Sequence, residues 1–472
     1  MMSWRRPLLI SLSILLLFEA FGFLLMFESS QRLVLQAMRP LSFHRLKFSL
    51  WETYPNPMVL RSNATGHNLP LSTTPGGHLA TGHATHEVPG HWVSKMASAR
   101  LLVSKVNCQA LIRGDKHEQS KTEDLMRNEN RKPLNGEDYF NICKNCSEFI
   151  SARGYITIPL SAEEMNFPIA YSILMYKDSE QAERLLRAIY QPQNYYCIHV
   201  DRKSEGSIKR GMEAVAKCFD NVFLVEKPVA VVWGKFTVLE AELLCLKELW
   251  AYQKWKYFIN LTGQEFPLKT NFELVKILKA YNGSNNLEGT RGRANTDRWK
   301  NAGPPPHGII PTKGAVHITA SRGYVDFLLH NQTALDFLEW VKKTRVPDET
   351  FFASLNHNPF LEVPGSYKGT PESNFENYQF LTRFKIWAGT KLWKLCTGKF
   401  TRGICIFGVK DLPVLTSQRH LFANKFHWDY QPYVLDCLEE WHFNKTIDQA
   451  VHKSNFDVSF YKNMSFVKNK VT

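Results

Sequence analysis

The sequence predicts an α/β domain whose mostly parallel central sheet is flanked by helices, and two observations carry that expectation. The first is the stretch 167–204, FPIAYSILMYKDSEQAERLLRAIYQPQNYYCIHVDRKS, which reads as strand, helix, strand. The second is the alternation of further apolar, strand-length runs with helical stretches as far as residue 407.

Taken in order, residues 169–175 form an apolar run of strand length. Asp178 and Ser179 are N-cap candidates for a helix over 180–190, with Ala182, Leu185, Leu186 and Ile189 on one face and Pro192 closing it. Residues 195–200 form a second buried strand, and Asp201 sits where it runs out. A βαβ unit of this length implies parallel strands and a right-handed crossover. Ligands of open α/β sheets collect beyond the carboxyl ends of the strands, so Asp201 and the residues around Met175 and Tyr176 are the expected place for a nucleotide. Neither a GxGxxG nor a P-loop pattern occurs here, which removes the main support for a dinucleotide or ATP.

Residues 222–225 look like a short strand. Residues 235–252 read as a helix with Leu239, Leu243, Leu246 and Trp250 on one side. A buried strand is expected at 257–261, followed by Gly263, Glu265 and Pro267, then a helix over 272–280. Four prolines make 303–311 a loop. Residues 314–321 are strand-like, 323–339 form one or two helices, and 400–407 read as a late strand flanked by Cys396 and Cys405. No internal repeat is visible.

The domain plan starts with a short tail, residues 1–6, carrying Arg5 and Arg6. Residues 7–27 follow, 21 positions with Glu19 as the only charge, enough to span about 30 Å of hydrocarbon as a helix. A cleaved signal peptide would have an apolar stretch of only about 7–15 residues and a small-residue cleavage site. An uncleaved signal-anchor is therefore expected, with the basic tail cytosolic and the rest luminal. Residues 28–105 read as a flexible stem. Its His67, His78, His83, His86 and His91 fit a solvated low-complexity tract better than a metal site. Residues 106–154 are expected to be a wrap segment tethered by disulfides, 155–443 the catalytic domain, and 444–472 a polar, peripheral tail.

Nine cysteines, at 108, 143, 146, 197, 218, 245, 396, 405 and 437, all lie beyond the apolar span. An oxidising compartment would pair most of them and leave one over. Cys143 and Cys146 could be half of a zinc site, but no second CxxC and no suitably spaced His pair accompany them. Seven Asn-x-Ser/Thr triplets begin at Asn63, Asn145, Asn260, Asn282, Asn331, Asn444 and Asn463. Asn260 lies in an apolar run where a glycan would hardly fit. Together these features point to the secretory pathway. The net charge of +14 bears on partners rather than fold. No helix-turn-helix, zinc-finger or RRM signature supports nucleic acid as one of them.

A luminal α/β enzyme that binds a nucleotide is most economically a sugar-nucleotide transferase. The common metal-dependent version holds a cation through an Asp-x-Asp pair, and the sequence contains none. Arg402 and Lys425, in FTRGICIFG and LFANKF, could neutralise a departing diphosphate instead, or be ordinary surface cations among 58 Lys and Arg. Inverting sugar transfer also needs a base for the acceptor hydroxyl. Glu349, in RVPDETFFASL, is the leading candidate, although Pro347, Asp348 and Glu349 also suit a plain helix start. The two readings are compatible. Asp348, Glu265 and Asp411 are the other candidates.

The motifs FPIAYSI, ERLLRAIYQPQNYYCIHVD, CFDNVF, WKYFINLTGQEFPLKTN, NNLE, PDE, ICIFG and HLFANKF resemble the core 2 and I-branching β-1,6-N-acetylglucosaminyltransferase family of Golgi type II membrane proteins. The resemblance covers residues 146–437, in order. It implies a variant GT-A fold without a metal cofactor, and inverting transfer from UDP-GlcNAc to make β-1,6 branches. Carried over by position, it makes Glu349 the general base and Arg402 with Lys425 the diphosphate clamp. Leu174, Met175, Tyr176, Asp201 and Lys203 fall where the family holds uridine and ribose; Trp233 joins the donor-side residues, and Glu288 and Arg298 fall in the acceptor region. The implied disulfides are Cys108–Cys437, Cys146–Cys218, Cys197–Cys245 and Cys396–Cys405, leaving Cys143 free or available to link a dimer.

Core 2 enzymes usually carry His at Tyr176, Tyr at Trp233, Cys at Thr262 and Tyr at His317, and the stretch between Trp299 and Gly314 is shorter here. The expected activity is transfer of GlcNAc to the GalNAc of core 1 (Galβ1-3GalNAc) O-glycans on mucin-type glycoproteins by a single-pass Golgi protein. I-branching of poly-N-acetyllactosamine, and transfer of glucose or xylose, are the alternatives within the class. An inactive glycan-binding lectin is the alternative outside it, and retention of Glu349, Arg402 and Lys425 speaks against it.

Overall fold

The computed structural model describes residues 100–374, 378–452 and 455–472, all within the compact unit Tyr54–Thr472. The expected tail 1–6, the span 7–27, nearly all of the stem and Asn63 lie outside them. Among the described residues no helix is long and apolar enough to cross a membrane.

The wrap segment is four helices: α1 (Cys108–Arg113), α2 (Lys116–Asn128), α3 (Gly136–Ile142) and α4 (Cys146–Arg153). Each starts on an Asn or Asp (Asn107, Asp115, Asn135, Asn145) whose side chain accepts a first-turn N–H, satisfying a donor that short helices otherwise leave exposed. Cys108–Cys437 and Cys146–Cys218 bind the two ends of the segment to the domain.

The central sheet runs β3-β2-β1-β4-β7-β6. In chain order its members are β1 (Ile169–Met175), β2 (Tyr195–Val200), β3 (Val222–Leu224), β4 (Tyr257–Thr262), β6 (Asn286–Leu287) and β7 (Ile318–Ser321). The first four are mutually parallel, whereas β7 is antiparallel to both β4 and β6. Between them come helices α5 (Ser179–Ile189), α6 (Gly206–Lys217), α7 (Phe236–Trp250) and α8 (Asn271–Tyr281), then α9 (Arg322–His330), α10 (Gln332–Val341) and α11 (Phe351–Asn356). Tyr171, Ile173, Tyr196 and Ile198 pack with Leu185 and Leu186 of α5, Met212 of α6 and Leu278 of α8. Ala170, Cys197, Phe258 and Ala320 pack on the other side with Leu239 and Leu246 of α7 and Phe337 of α10. Each strand thus feeds two helical layers, which is why its sequence is a continuous apolar run.

A smaller sheet, β5 (Glu265–Pro267), β11 (Phe422–Asn424) and β8 (Arg383–Phe384), stands beside the carboxyl edge. The expected single strand at 400–407 is instead a hairpin of β9 (Lys399–Thr401) and β10 (Ile404–Ile406). Arg402 (φ +50°) and Gly403 (φ +78°) turn it, the double left-handed backbone that tight hairpins use and that residue patterning alone does not reveal.

Three other expectations change. Asp178 occupies the cap of α5 but is left-handed (φ +59°) and makes no capping bond; its carboxylate lies 3.2 Å from Lys177 Nζ. The terminal segment is not peripheral: α12 (Tyr433–His452) crosses residue 443, and Tyr461 and Phe466, in α13 (Ser459–Lys462) and α14 (Ser465–Lys468), join the core beside Tyr281. Of the four expected disulfides, Cys197–Cys245 is unformed. Both thiols are buried, and Cys245 Sγ points at the Cys197 carbonyl, 3.6 Å away, rather than bonding its sulfur. Cys396–Cys405 closes the β9–β10 region. Cys143 is free but buried, with burial pushing its thiol up to about 12, so it is not presented for a link between chains. Asn260 is buried, and its Nδ2 donates to the Val316 carbonyl at 2.8 Å, leaving no room for a glycan.

Candidate active site

The registers of β1, β2 and β4 end the three strands together at the carboxyl edge, with Met175 opposite Val200 and Leu174 opposite Thr262. A cleft of about 610 Å³ opens there. Leu174, Met175, Tyr176, Trp233, Glu288, Glu349 and Lys425 all line it. Residues up to 251 positions apart in sequence therefore meet at one site.

Asp201 and Lys203, expected at the donor, are not among the residues that line the cleft. The Asp201 N–H donates to the Met175 carbonyl at 2.8 Å, and its carboxylate accepts the Lys203 N–H at 2.9 Å, a local turn that fixes the end of β2. Lys203 Nζ donates to the Val231 carbonyl at 2.6 Å and so pins the loop that carries Trp233. Trp233 itself projects at the rim, 83% exposed.

Glu349 ends a single 3-10 turn, Pro347–Glu349, entered through Val346 at φ +51°. The Val346 N–H donates to the Gly234 carbonyl at 3.1 Å, tying this turn to the Trp233 loop. The Glu349 carbonyl accepts the Gly314 N–H at 2.7 Å. Its carboxylate Oε2 lies 2.5 Å from Arg298 Nη1, and Trp299 Nε1 donates to Thr350 Oγ1 at 3.0 Å on the same flank. Arg298, expected near the acceptor, is therefore the partner of Glu349. Asp348 is 6% exposed, lines the cleft, and leaves Oδ1 without a hydrogen-bond partner among the described residues. Burial, reinforced by the Glu349 charge, pushes its carboxyl up to about 7. Glu288 lies 3.7 Å from Lys313, and both line the cleft.

The small sheet supplies the cationic wall. Glu265 is fully buried, accepts from Arg383 Nε at 2.8 Å and Asn424 Nδ2 at 3.0 Å, and has His317 Nε2 at 3.5 Å. It joins β5, β8 and β11 and is not available as a base. Asp411 is likewise committed, accepting the N–H groups of Thr397 at 2.8 Å and Gly408 at 2.7 Å. Lys425 follows β11, half-buried and with no ion pair among the described residues. Burial lowers its ammonium pKa; Glu265 opposes that shift and the neighbouring Arg402 adds to it. Arg402 is exposed at the hairpin turn and does not line the cleft itself.

Sequence reasoning missed Lys385, which follows β8 and lines the cleft, with burial pushing its ammonium down to about 8. It also missed Lys177, Arg293 and Lys313, which line the same cleft. None sits in a motif, and only the pairing of β8 with β11 brings Lys385 beside Asn424. Among the described residues no three His, Cys, Asp or Glu side chains gather as a metal-ligand set. The cleft can thus receive an anion against Lys425 and a hydroxyl against Glu349.

Residues 169–416 match the family described as Core-2/I-Branching enzyme. A human β-1,3-galactosyl-O-glycosyl-glycoprotein β-1,6-N-acetylglucosaminyltransferase is 38% identical over 376 residues, 74% of this chain and 87% of the relative. Its Bos taurus counterpart is 38% identical over 364 residues, covering 71% and 84%. An Ovis aries protein of the same name, numbered 3, is 37% identical over 367 residues, covering 72% and 83%. With the family match spanning the whole central sheet and more than half of the chain, the chain belongs to the Core-2/I-Branching enzyme family.

Proposed function

We propose that this chain transfers GlcNAc from UDP-GlcNAc, in β-1,6 linkage, to the GalNAc of core 1 O-glycans. The activity named for its relatives supports the reaction class. The observation that carries the reading is the cleft itself: a carboxylate fastened by an arginine, Glu349, shares it with an unpaired lysine, Lys425.

In this reading Glu349 takes the proton of the acceptor 6-hydroxyl as that oxygen attacks the anomeric carbon, and the configuration inverts. The bond from that carbon to the diphosphate breaks, and UDP leaves carrying the electron pair. Lys425 and Arg402 stabilise its growing negative charge without a metal cofactor. Leu174, Met175 and Tyr176 face the donor, with Asp201 and Lys203 bracing that edge and Trp233 over it. Glu288 lies on the acceptor side. Residues 7–27 anchor the chain in the Golgi membrane with the catalytic domain luminal.

The test is transfer by the full chain from UDP-GlcNAc, UDP-glucose and UDP-xylose to a core 1 glycoside, with and without EDTA. GlcNAc transfer undiminished by EDTA is expected. Transfer abolished by the chelator would remove the metal-free mechanism, and preference for another sugar would remove the donor assignment.

A further inference from the structure

The segment 385–410 contains Lys385, Lys391, Lys394, Lys399, Arg402 and Lys410 and no Asp or Glu. Lys410 is paired with Glu123 at 2.8 Å, and Lys399 lies 4.5 Å from the Tyr430 ring centroid. Lys391 and Lys394 are exposed, and neither has an ion pair or hydrogen bond among the described residues. Between and beside them, Trp393 is 49% exposed, Leu395 45% and Phe400 39%. Large apolar side chains left in water next to unpaired cations are what a binding surface looks like before it is covered.

The segment is also held in place. Cys396–Cys405 bonds its middle to β10, Phe400 stands opposite Cys405 in the hairpin, and Trp387 bridges to Ile404. It is continuous with the active cleft, because Trp387, Lys391 and Leu392 line it. Whatever covers the segment therefore reaches the cleft as well. A bilayer lying on these residues would lie across the cleft's rim, whereas a substrate would extend out of it.

We propose that residues 387–400 are a docking platform for an acidic saccharide carried by the acceptor beyond the sugar that is branched. The carboxylate or sulfate of that saccharide meets Lys391 and Lys394. A sugar face stacks on Trp393, its slightly positive C–H bonds against the negative face of the indole. The inference rests on the glycosyltransferase reading for the identity of the acceptor, but it is read by binding alone.

The test compares two glycopeptides that share peptide and branch-site disaccharide, one bearing a sialic acid and the other neutral. Their dissociation constants for the full chain are measured without donor, so failure of the transfer reaction cannot imitate failure of the platform. The sialylated ligand should bind about fivefold more tightly at about 50 mM salt, and the preference should vanish in the double variant Lys391→Gln with Lys394→Gln. Trp393→Ala should weaken both ligands. Equal affinities for the two ligands, or a preference that survives the double substitution, overturns the proposal. So does loss of anionic-vesicle binding in the double variant without any change in glycopeptide binding, which would assign the surface to a membrane.

Discussion

Arg298 fastens Glu349: Nη1 and Oε2 are 2.5 Å apart, joining two 3-10 turns, Thr296–Arg298 and Pro347–Glu349. The other carboxylate oxygen, Oε1, has no protein hydrogen bond among the described residues and is left for the cleft. A carboxylate held on one oxygen and open on the other is oriented, as the proposed role of base requires. Replacing Glu349 by Gln should cut transfer by about 10²–10⁴-fold while leaving UDP affinity unchanged. Arg298→Met should lower the rate about tenfold or more through lost orientation. Initial rates and UDP titrations measure both, and near-normal turnover in Glu349→Gln would remove the base assignment.

The cationic wall makes a separable prediction. Arg402→Ala and Lys425→Ala should each weaken UDP by about 1.5–3 kcal/mol, the range for hydrogen bonds to charged groups. Binding of uridine, which lacks the diphosphate, should not change. Calorimetric titration with both ligands checks this, and equal losses for UDP and uridine would mean a distorted cleft rather than a lost clamp.

Glu242 predicts a pH dependence of stability. It is fully buried on α7, where its carboxyl accepts from Ser172 Oγ and from Asn260 Nδ2 at 3.3 Å. Burial outweighs those bonds and pushes it up to about 7. A carboxyl raised above its unfolded value contributes stability fully below about pH 4.5, and that contribution is lost as pH rises through about 7. Gln, which never ionises, should therefore improve in Tm relative to Glu242 between about pH 5 and about pH 8. A Tm difference that is flat with pH would refute it.

Glu183 behaves in the opposite sense. Burial alone would raise its carboxyl, but Arg153 and Arg187 outweigh burial and hold it at about 2. Tyr139 and Tyr155 each donate to it at 3.0 Å, so this carboxylate joins the wrap segment to α5. Its contribution is present above the ordinary carboxylate pKa and is lost as pH falls toward about 2. Glu183→Gln should cost about 3–5 kcal/mol at neutral pH by leaving buried arginine charge unpaired. Denaturant unfolding measures it, and a loss below about 1 kcal/mol would show the node to be dispensable.

The packing of the wrap segment also explains two glycines. A Cβ on Gly211 of α6 would stand 2.4 Å from the Gly136 carbonyl oxygen at the start of α3, so only hydrogen allows these backbones to meet. Neither glycine stood out in the sequence, because each is a helical residue whose neighbour lies far along the chain.

The strands 169–175 and 195–200 were legible residue for residue, because a strand buried on both faces is an unbroken apolar run bounded by polar residues. The seven-residue β1 and the amphipathic α5 follow from spacing alone. The 400–407 segment was misread because two three-residue strands and a left-handed turn have the same composition as one longer strand. The polar tail was misread because its buried contacts rest on a few aromatics, Tyr461 and Phe466, set among lysines and asparagines.

The sequence alone determined the α/β alternation, the central βαβ unit and the identity of the charged residues worth watching, since local patterning encodes which faces must be buried. It could not say that Glu265 and Asp411 are committed to holding strands and loops, that Arg298 partners Glu349, or that Lys385 reaches the cleft. Those outcomes depend on register and chain crossing between residues far apart in sequence. Glu265 becomes a structural anchor and Glu349 stays open to the cleft because folding gives the first three partners and the second a single arginine.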